Sequence, residues 1–395
     1  MSRTYLPGRM AAVAALLAVA AGCTSPDSAP QPDAPVKFGL ISTTSGPLAA
    51  YGQQYLQGFE AGLQYATKGT GKVGDRMIEV TQVDDGGDPA KAVAAVKDLA
   101  GKGVKIIGGS TSSATALQVA TVAAQNKILN LSGPAAADAI TGVNRYTFRT
   151  GRQTFQDIAS AQSYLSAAAG KNVVVFAQDN TFGQGNLAAV KAVMGASGAT
   201  VGSVLVPEAT TEFTPFAIKA KETKPDLLFV AWAGTTATAM WQSLQQQDVL
   251  SATTVVTGLD APQTWPAFGP AGAEISFVAH WVDGAADNPA ATALQAAQGN
   301  TPGGVFGPDG FNLALMLVRA IEQGGGDDPE KMIASLEGWS FDSVAGNLTV
   351  RAADHALLQP AFQVKLTGTA QAYTARILKT LSAQECAPPV TAMKG

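Results

Sequence analysis

The sequence predicts an α/β protein built as two lobes. Short apolar strands alternate with amphipathic helices from residue 36 onward, the pattern of a parallel sheet covered on both faces. The alternation restarts at about residue 154 and runs through a second set of similar size, which favours two lobes over one long sheet. Composition agrees: 395 residues, 46% hydrophobic and 14% charged, suffice for a large core and about two domains.

Residues 36–41 read as the first buried strand, followed by a loop centred on Ser45-Gly46-Pro47. A helix from about Tyr51 places Leu56, Phe59, Leu63 and Ala66 on one face. Residues 77–83 form the second strand. In Asp84-Asp85-Gly86-Gly87-Asp88-Pro89, Asp88 is the helix N-cap and Pro89 its first residue. That assigns the three carboxylates to turns and caps rather than to a metal. The helix turns Val93, Val96 and Leu99 inward. The third strand, 105–107, ends at Gly108-Gly109, and Ser110-Thr111-Ser112-Ser113 leads into a helix over 114–125.

This hydroxyl-rich turn is the candidate polar site. A helix N-terminus presents unpaired N–H groups and a partial positive charge, which together hold anions. Ordinary capping by Ser or Thr is the competing explanation. After a strand at 128–131 comes the loop Ser132-Gly133-Pro134-Ala135-Ala136-Ala137-Asp138. In parallel sheets, ligands sit beyond the carboxyl ends of the strands. The loops 42–51, 110–115 and 132–138 therefore share one edge.

In the second half a helix covers 154–168. A strand at 173–177 ends in Asp179-Asn180-Thr181-Phe182-Gly183-Gln184-Gly185. Strand 201–206 and helix 213–224 follow. Strand 226–232 ends in Ala233-Gly234-Thr235-Thr236, before a helix through 246. Strand 253–257 ends at Gly258-Leu259-Asp260, and 277–282 is another strand. The helix 310–323 groups Phe311, Leu315, Val318 and Ile321 and stops at three glycines. From 341 the pattern turns β-like, at 347–350 and 362–366.

The N-terminus is a processing segment. Arg3 and Arg9 precede an apolar stretch, 10–21, too short for a convincing membrane span. Ala20-Ala21-Gly22-Cys23 resembles a bacterial lipobox, which implies cleavage after residue 22 and lipid on Cys23. A plain secretory signal is the alternative. Residues 23–35, rich in Pro, Ser and Asp, form a flexible tether. The expected location is extracytoplasmic, anchored at the outer face of the cytoplasmic membrane.

Several function classes lose support. The net charge of −4, with no Lys/Arg block, gives no electrostatic case for nucleic acid. Cys386 is the only other cysteine, so there is no disulfide framework, and it reads as a bystander thiol. His280 and His355 are the only histidines, which weakens zinc and Ser-His-Asp proposals. No Gly-x-Ser-x-Gly elbow surrounds Ser110–Ser113, so a serine hydrolase is disfavoured. No metal or cofactor is implied.

Taken in order, the loops carry a resemblance. Residues 45–52 (Ser-Gly-Pro-Leu-Ala-Ala-Tyr-Gly), Asp84-Asp85 with Asp88-Pro89, Ile107-Gly108 with Ser112-Ser113, Ser132 with Pro134-Ala135, and Phe182-Gly183-Gln184-Gly185 occur with compatible spacing. The chain is similar to the periplasmic leucine/isoleucine/valine-binding proteins of ABC importers, from about residue 36 to 366. The resemblance implies the type I periplasmic binding fold, two Rossmann-like lobes joined by a three-crossover hinge. Crossovers near Thr150, Val282 and Trp339 would divide the chain into lobe one (36–150 and 283–338), lobe two (151–282 and 339–385) and a tail (386–395).

It also implies ligand contacts. Ser112 and Ser113 would hold a carboxylate, and the Ala135 carbonyl an α-ammonium. Ala137 stands where many members have threonine, leaving only its N–H. Tyr51 would flank the ligand, and Phe182 replaces a common tyrosine on the facing lobe. Trp232 and Thr235 lie in a loop often rich in tyrosine. Asp260 would pair with the ammonium, and Phe306 would be an aromatic lid. From the residues alone, Asp260 reads equally as a turn residue and Trp232 as core.

The expected function is capture of a small amino acid, branched-chain or related, by a monomer that delivers it to an ABC permease and its ATPase. An aromatic acid or a small amide or urea is the alternative ligand. An envelope sensor or regulator is a second alternative.

Overall fold

The computed structural model describes residues 34–299 and 304–394. The signal segment, Cys23 and the tether as far as residue 33 lie outside the described residues.

The first sheet comprises β1 (Val36–Ser42), β2 (Lys72–Val73), β3 (Arg76–Asp84), β4 (Ile106–Gly109), β5 (Leu129–Ser132) and β6 (Thr147–Arg149). Its order is β2-β3-β1-β4-β5-β6, parallel except for the β2–β3 hairpin. Every residue of β4 and β5 is buried, as expected where helices cover both faces. Helices α1 (Ala49–Ala66), α2 (Pro89–Gly101) and α3 (Ser113–Gln125) each follow a strand of this sheet.

The second sheet comprises β7 (Asn172–Gln178), β8 (Thr200–Val206), β9 (Leu227–Ala231), β10 (Thr254–Gly258) and β11 (Ser276–Ala279), all parallel. Two antiparallel strands from the end of the chain, β15 (Ala361–Thr367) and β16 (Thr374–Leu381), extend it beside β11. Around it lie α4 (Thr154–Gln162), α5 (Thr181–Val190), α6 (Thr214–Glu222), α7 (Ala237–Gln246), the short α8 (Val249–Ala252) and a 3₁₀ segment, Pro262–Ala273. Helix α4 stops six residues short of the expected end. Tyr164, just beyond it, donates its hydroxyl to the Phe277 carbonyl (2.8 Å) and accepts the Val364 N–H (3.1 Å), tying the chain to the β11–β15 junction.

From the second lobe the chain returns through α9 (Pro289–Gln298), α10 (Gly307–Gly324) and α11 (Pro329–Leu336) to pack on the first. A small antiparallel sheet follows: β12 (Ser340–Ser343), β13 (Gly346–Val350) and β14 (Leu357–Leu358). This sheet corrects the expected lobe boundary. Phe341, Leu348, Val350 and Leu357 are buried in the same core as Phe38, Leu131 and Leu317, so 340–358 belongs with the first lobe. The third crossover lies between Leu358 and Ala361, not near Trp339. The apolar side chains of β12–β14 decide this, because they join the core that α9 and α10 build on the first lobe. The C-terminal segment also folds back on the first lobe. The Thr391 N–H donates to the Asp354 carboxylate (2.9 Å), and the Lys394 N–H to the Gly142 carbonyl (3.0 Å). Cys386 is buried, which pushes its thiol up to about 12. Among the described residues no helix is long and apolar enough to cross a membrane.

Candidate functional site

The loops leaving the carboxyl ends of the two sheets face one another across a cavity of about 560 Å³, within the usual size range for small-molecule sites. On the first-lobe wall, the turn after β4 is fixed by a buried carboxylate. Asp85 accepts from the Thr43 hydroxyl (2.7 Å), the Gly87 N–H (2.8 Å) and the Ser110 hydroxyl (3.1 Å). Ser110 adopts a positive φ of 72° there. Asp84 accepts the N–H groups of Thr44 and Gly86, bonds that hold its carboxyl down to about 2, with the Ser45 side chain as the largest cause. Asp88 caps α2 through the Ala90 N–H (2.7 Å). These carboxylates take the turn and capping roles that their sequence context indicates. The effect is to aim the N-terminus of α3 into the cavity. Thr111, Ser112, Ser113 and Ala114 line it, and Ser112, the N-cap residue, makes no side-chain capping bond.

The 132–138 loop differs from expectation. Pro134 and Ala136 line the cavity, whereas Ala135 and Ala137 do not. The guanidinium of the buried Arg149 takes the carbonyls of Ala135 (2.8 Å) and Ala137 (2.9 Å). A buried cation requires acceptors, and these two carbonyls meet that need. The Ala137 N–H donates to the Ser113 hydroxyl at 3.3 Å. The Ala135 carbonyl therefore faces Arg149, where an ammonium was expected, and the Ala137 N–H serves the loop itself.

The facing wall sets aromatic rings among polar side chains such as Asp179, Asn180 and Glu208. Phe182, Trp232, Trp241 and Phe268 line it. Trp232 stacks on Phe176 (centroids 5.8 Å apart), meets Phe213 edge-on (5.4 Å) and donates its indole N–H to the Thr236 hydroxyl (3.1 Å). It thus belongs to both the core and the cavity. Thr235 is exposed and does not line the cavity, because its neighbour Thr236 is the residue turned toward Trp232.

The lobes meet at Tyr51. Its hydroxyl donates to the Asp260 carboxylate (3.0 Å) and accepts the Gly234 N–H (3.2 Å), both on the second lobe. Its ring packs on Phe306 with centroids 4.5 Å apart. The lobes are therefore closed. Burial pushes the Asp260 carboxyl up, opposed by hydrogen bonds from the Ala261 N–H and Tyr51. Burial and the charge on Asp260 push the Tyr51 phenol well up as well.

Two residues of the first crossover region complete this end. Arg152 lines the cavity, pairs with Asp157 (Nε–Oδ2 2.8 Å) and lies 5.7 Å from the Phe306 ring centroid. Sequence reasoning missed both, along with Trp241 and Phe268. The crossover was expected near Thr150, which put a cation at the hinge, but nothing local marks its direction. Trp241 falls inside the helix expected through residue 246 and Phe268 in an unassigned stretch, and neither position carries a signal of where its ring points.

A cavity closed between the carboxyl edges of two parallel sheets, lined by polar groups and aromatic rings, defines a ligand-trapping protein of two lobes. The chain belongs to the periplasmic binding protein family, whose model matches residues 35–371. It is 27% identical to a Leu/Ile/Val-binding protein of Rhizobium johnstonii, covering 81% of this chain and 89% of the relative. It is 24% identical to a leucine-, isoleucine-, valine-, threonine- and alanine-binding protein of Pseudomonas aeruginosa, covering 79% and 85%. An ABC-type branched-chain amino acid transporter structure from Rhodopseudomonas palustris is 31% identical, with TM-score 0.73 over 91% of this chain and all of the other. A solute-binding protein from the same organism in complex with 4-hydroxybenzoate shares the fold at 24% identity (TM-score 0.79, 89% and 97% covered). Members of this family bind small solutes and work with ABC transporter permeases.

Proposed function

We propose that this protein captures a small amino acid, branched-chain or related, and delivers it to the permease of an ABC importer without chemical turnover. The observation that carries this is the placement of Asp260. Tyr51 draws its carboxylate to the cavity that also receives the N-terminus of α3, with Ser112 uncapped. A zwitterion matches that pair of partners, its carboxylate at Ser112 and Ser113 and its ammonium at Asp260. Phe182, Trp232 and Phe306 supply the apolar wall for its side chain. With the Ala135 carbonyl turned to Arg149, Asp260 carries the ammonium contact alone.

The reading includes a monomer held at the outer face of the cytoplasmic membrane by lipid on Cys23. Metabolic labelling with a fatty acid, lost in Cys23→Ser, tests the anchor. Calorimetric titration of ligand-stripped protein with an amino-acid panel tests the ligand. Binding at 1:1 is expected, with a rise in melting temperature. Asp260→Ala is expected to cost at least about 2 kcal/mol of affinity by leaving the ammonium unpaired. Unchanged affinity would remove the amino-acid assignment. The aromatic wall favours a second reading, an aromatic carboxylate, which mass spectrometry of the co-purified ligand separates from the first.

A further inference from the structure

Within the fold Arg152 uses only one of its guanidinium nitrogens. Nε is bonded to Asp157, and both side chains are nearly buried, 13% and 10% exposed. Nη1 is shut off from solvent and has no hydrogen-bond partner. Burial alone would lower the guanidinium, but the carboxylates of Asp157 and Asp309 more than offset it, so the charge is retained. The bond to Asp157 and the Phe306 ring, whose centroid lies 5.7 Å from the guanidinium carbon, hold the group in place. A buried charged donor left unmade is costly, and a carboxylate is the acceptor that a guanidinium matches best. Asp157 satisfies only one edge of the fork, and Arg152 lines the ligand cavity.

We infer that Arg152 is a specificity-determining residue whose guanidinium, on the edge that Asp157 leaves free, binds a carboxylate oxygen of the ligand. This rests on the cavity being the solute site and narrows its ligands to carboxylic acids over their amides and neutral analogues. Ser112 and Ser113 supply neutral hydroxyls and backbone N–H groups, which donate to an amide oxygen nearly as well. A fixed guanidinium makes the distinction sharp.

The test uses two probe pairs, L-leucine with L-leucinamide and benzoate with benzamide. Each is titrated into ligand-stripped wild type and into the double variant Arg152→Gln/Asp157→Asn, which removes both charges together and strands neither. Wild type is expected to bind the acid of one pair at least about tenfold tighter than its amide. The double variant is expected to lose about tenfold to a hundredfold for the acid and little for the amide, so that discrimination collapses while the ligand-free melting temperature is retained. Arg152→Lys, which keeps a cation for Asp157 but loses the fork, reads the same loss if the double variant does not fold. Equal acid affinity in wild type and a folded variant overturns the role of Arg152 and leaves the amino-acid reading standing. Benzoate binding alone, lost in the variant, supports Arg152 and overturns the amino-acid reading. Failure of wild type to bind any of the four probes overturns both.

Discussion

Tyr51 belongs to the first lobe through α1, yet its hydroxyl is satisfied by the second, from Asp260 and from the Gly234 N–H. Removing that oxygen leaves the ring packed on Phe306 but breaks both cross-lobe bonds. Tyr51→Phe is therefore expected to weaken ligand affinity by about 1–2 kcal/mol while leaving ligand-free unfolding nearly unchanged. Calorimetry and a urea curve on the same samples check the two halves of that statement. An equal loss in both would make Tyr51 a packing residue only. Asp260 needs Tyr51 as well. Without the phenol its carboxylate keeps the Ala261 N–H (2.6 Å) as its remaining fixed donor.

Helices α1 and α10 of the first lobe meet backbone against backbone. A Cβ on Gly58 would stand 1.8 Å from the Gly307 carbonyl oxygen, and one on Gly310 would stand 2.0 Å from that of Tyr55. No rotamer relieves a Cβ clash with backbone, so the helices would have to separate. Gly58→Ala is expected to destabilise the fold by about 1–3 kcal/mol, or more if α10 cannot shift, read as a lower urea midpoint. Affinity should fall too, because Phe306 is the N-cap of α10 and α1 carries Tyr51. An Ala substitution at Gly101, whose Cβ would meet nothing within 4 Å, is the control.

At the scale of the molecule, the two lobes are stitched at more than the ligand. Asp138, at the end of a first-lobe loop, accepts the Phe155 N–H (2.9 Å) near the start of the second-lobe helix α4. Burial raises its carboxyl from 3.8 to about 6, against the pull of that N–H and of Arg149. The folded state thus holds a proton that the unfolded chain releases. The resulting stability is fully present below about pH 4 and is lost as pH rises through about 6. Asp138→Asn is expected to be more stable than wild type by about 1–3 kcal/mol at pH 7–8, with the gap closing toward pH 4. Chemical unfolding at several pH values measures it. A gap that stays constant with pH would show that Asp138 is not the titrating group.

Periodicity and turn chemistry in the sequence determined most of the fold. Strands buried on both faces read as apolar runs, helices announce themselves through Asp88-Pro89 or a triple glycine, and both signals are local. The second lobe's parallel strands were legible for the same reason. Short or polar elements carry no such signal: β2, β14, α9 and the edge strand β16 went unread, and β12–β14 were given to the wrong lobe. Of the candidate site residues, Tyr51, Ser112, Ser113, Phe182, Trp232, Asp260 and Phe306 line the cavity; all but Phe306 sit in a loop or first helical turn just after a strand, where the strand pattern fixes the sheet edge. Whether a side chain or carbonyl turns toward the cavity is another matter, since that depends on what waits on the other side. Ala135 and Ala137 turn away because Arg149, on the next strand, needs their oxygens, and Arg152 turns inward because Asp157 holds it there. Sequence by itself determined which loops meet. Only the tertiary structure decided which atoms in them remain free, because buried charges claim their partners from wherever the chain brings them.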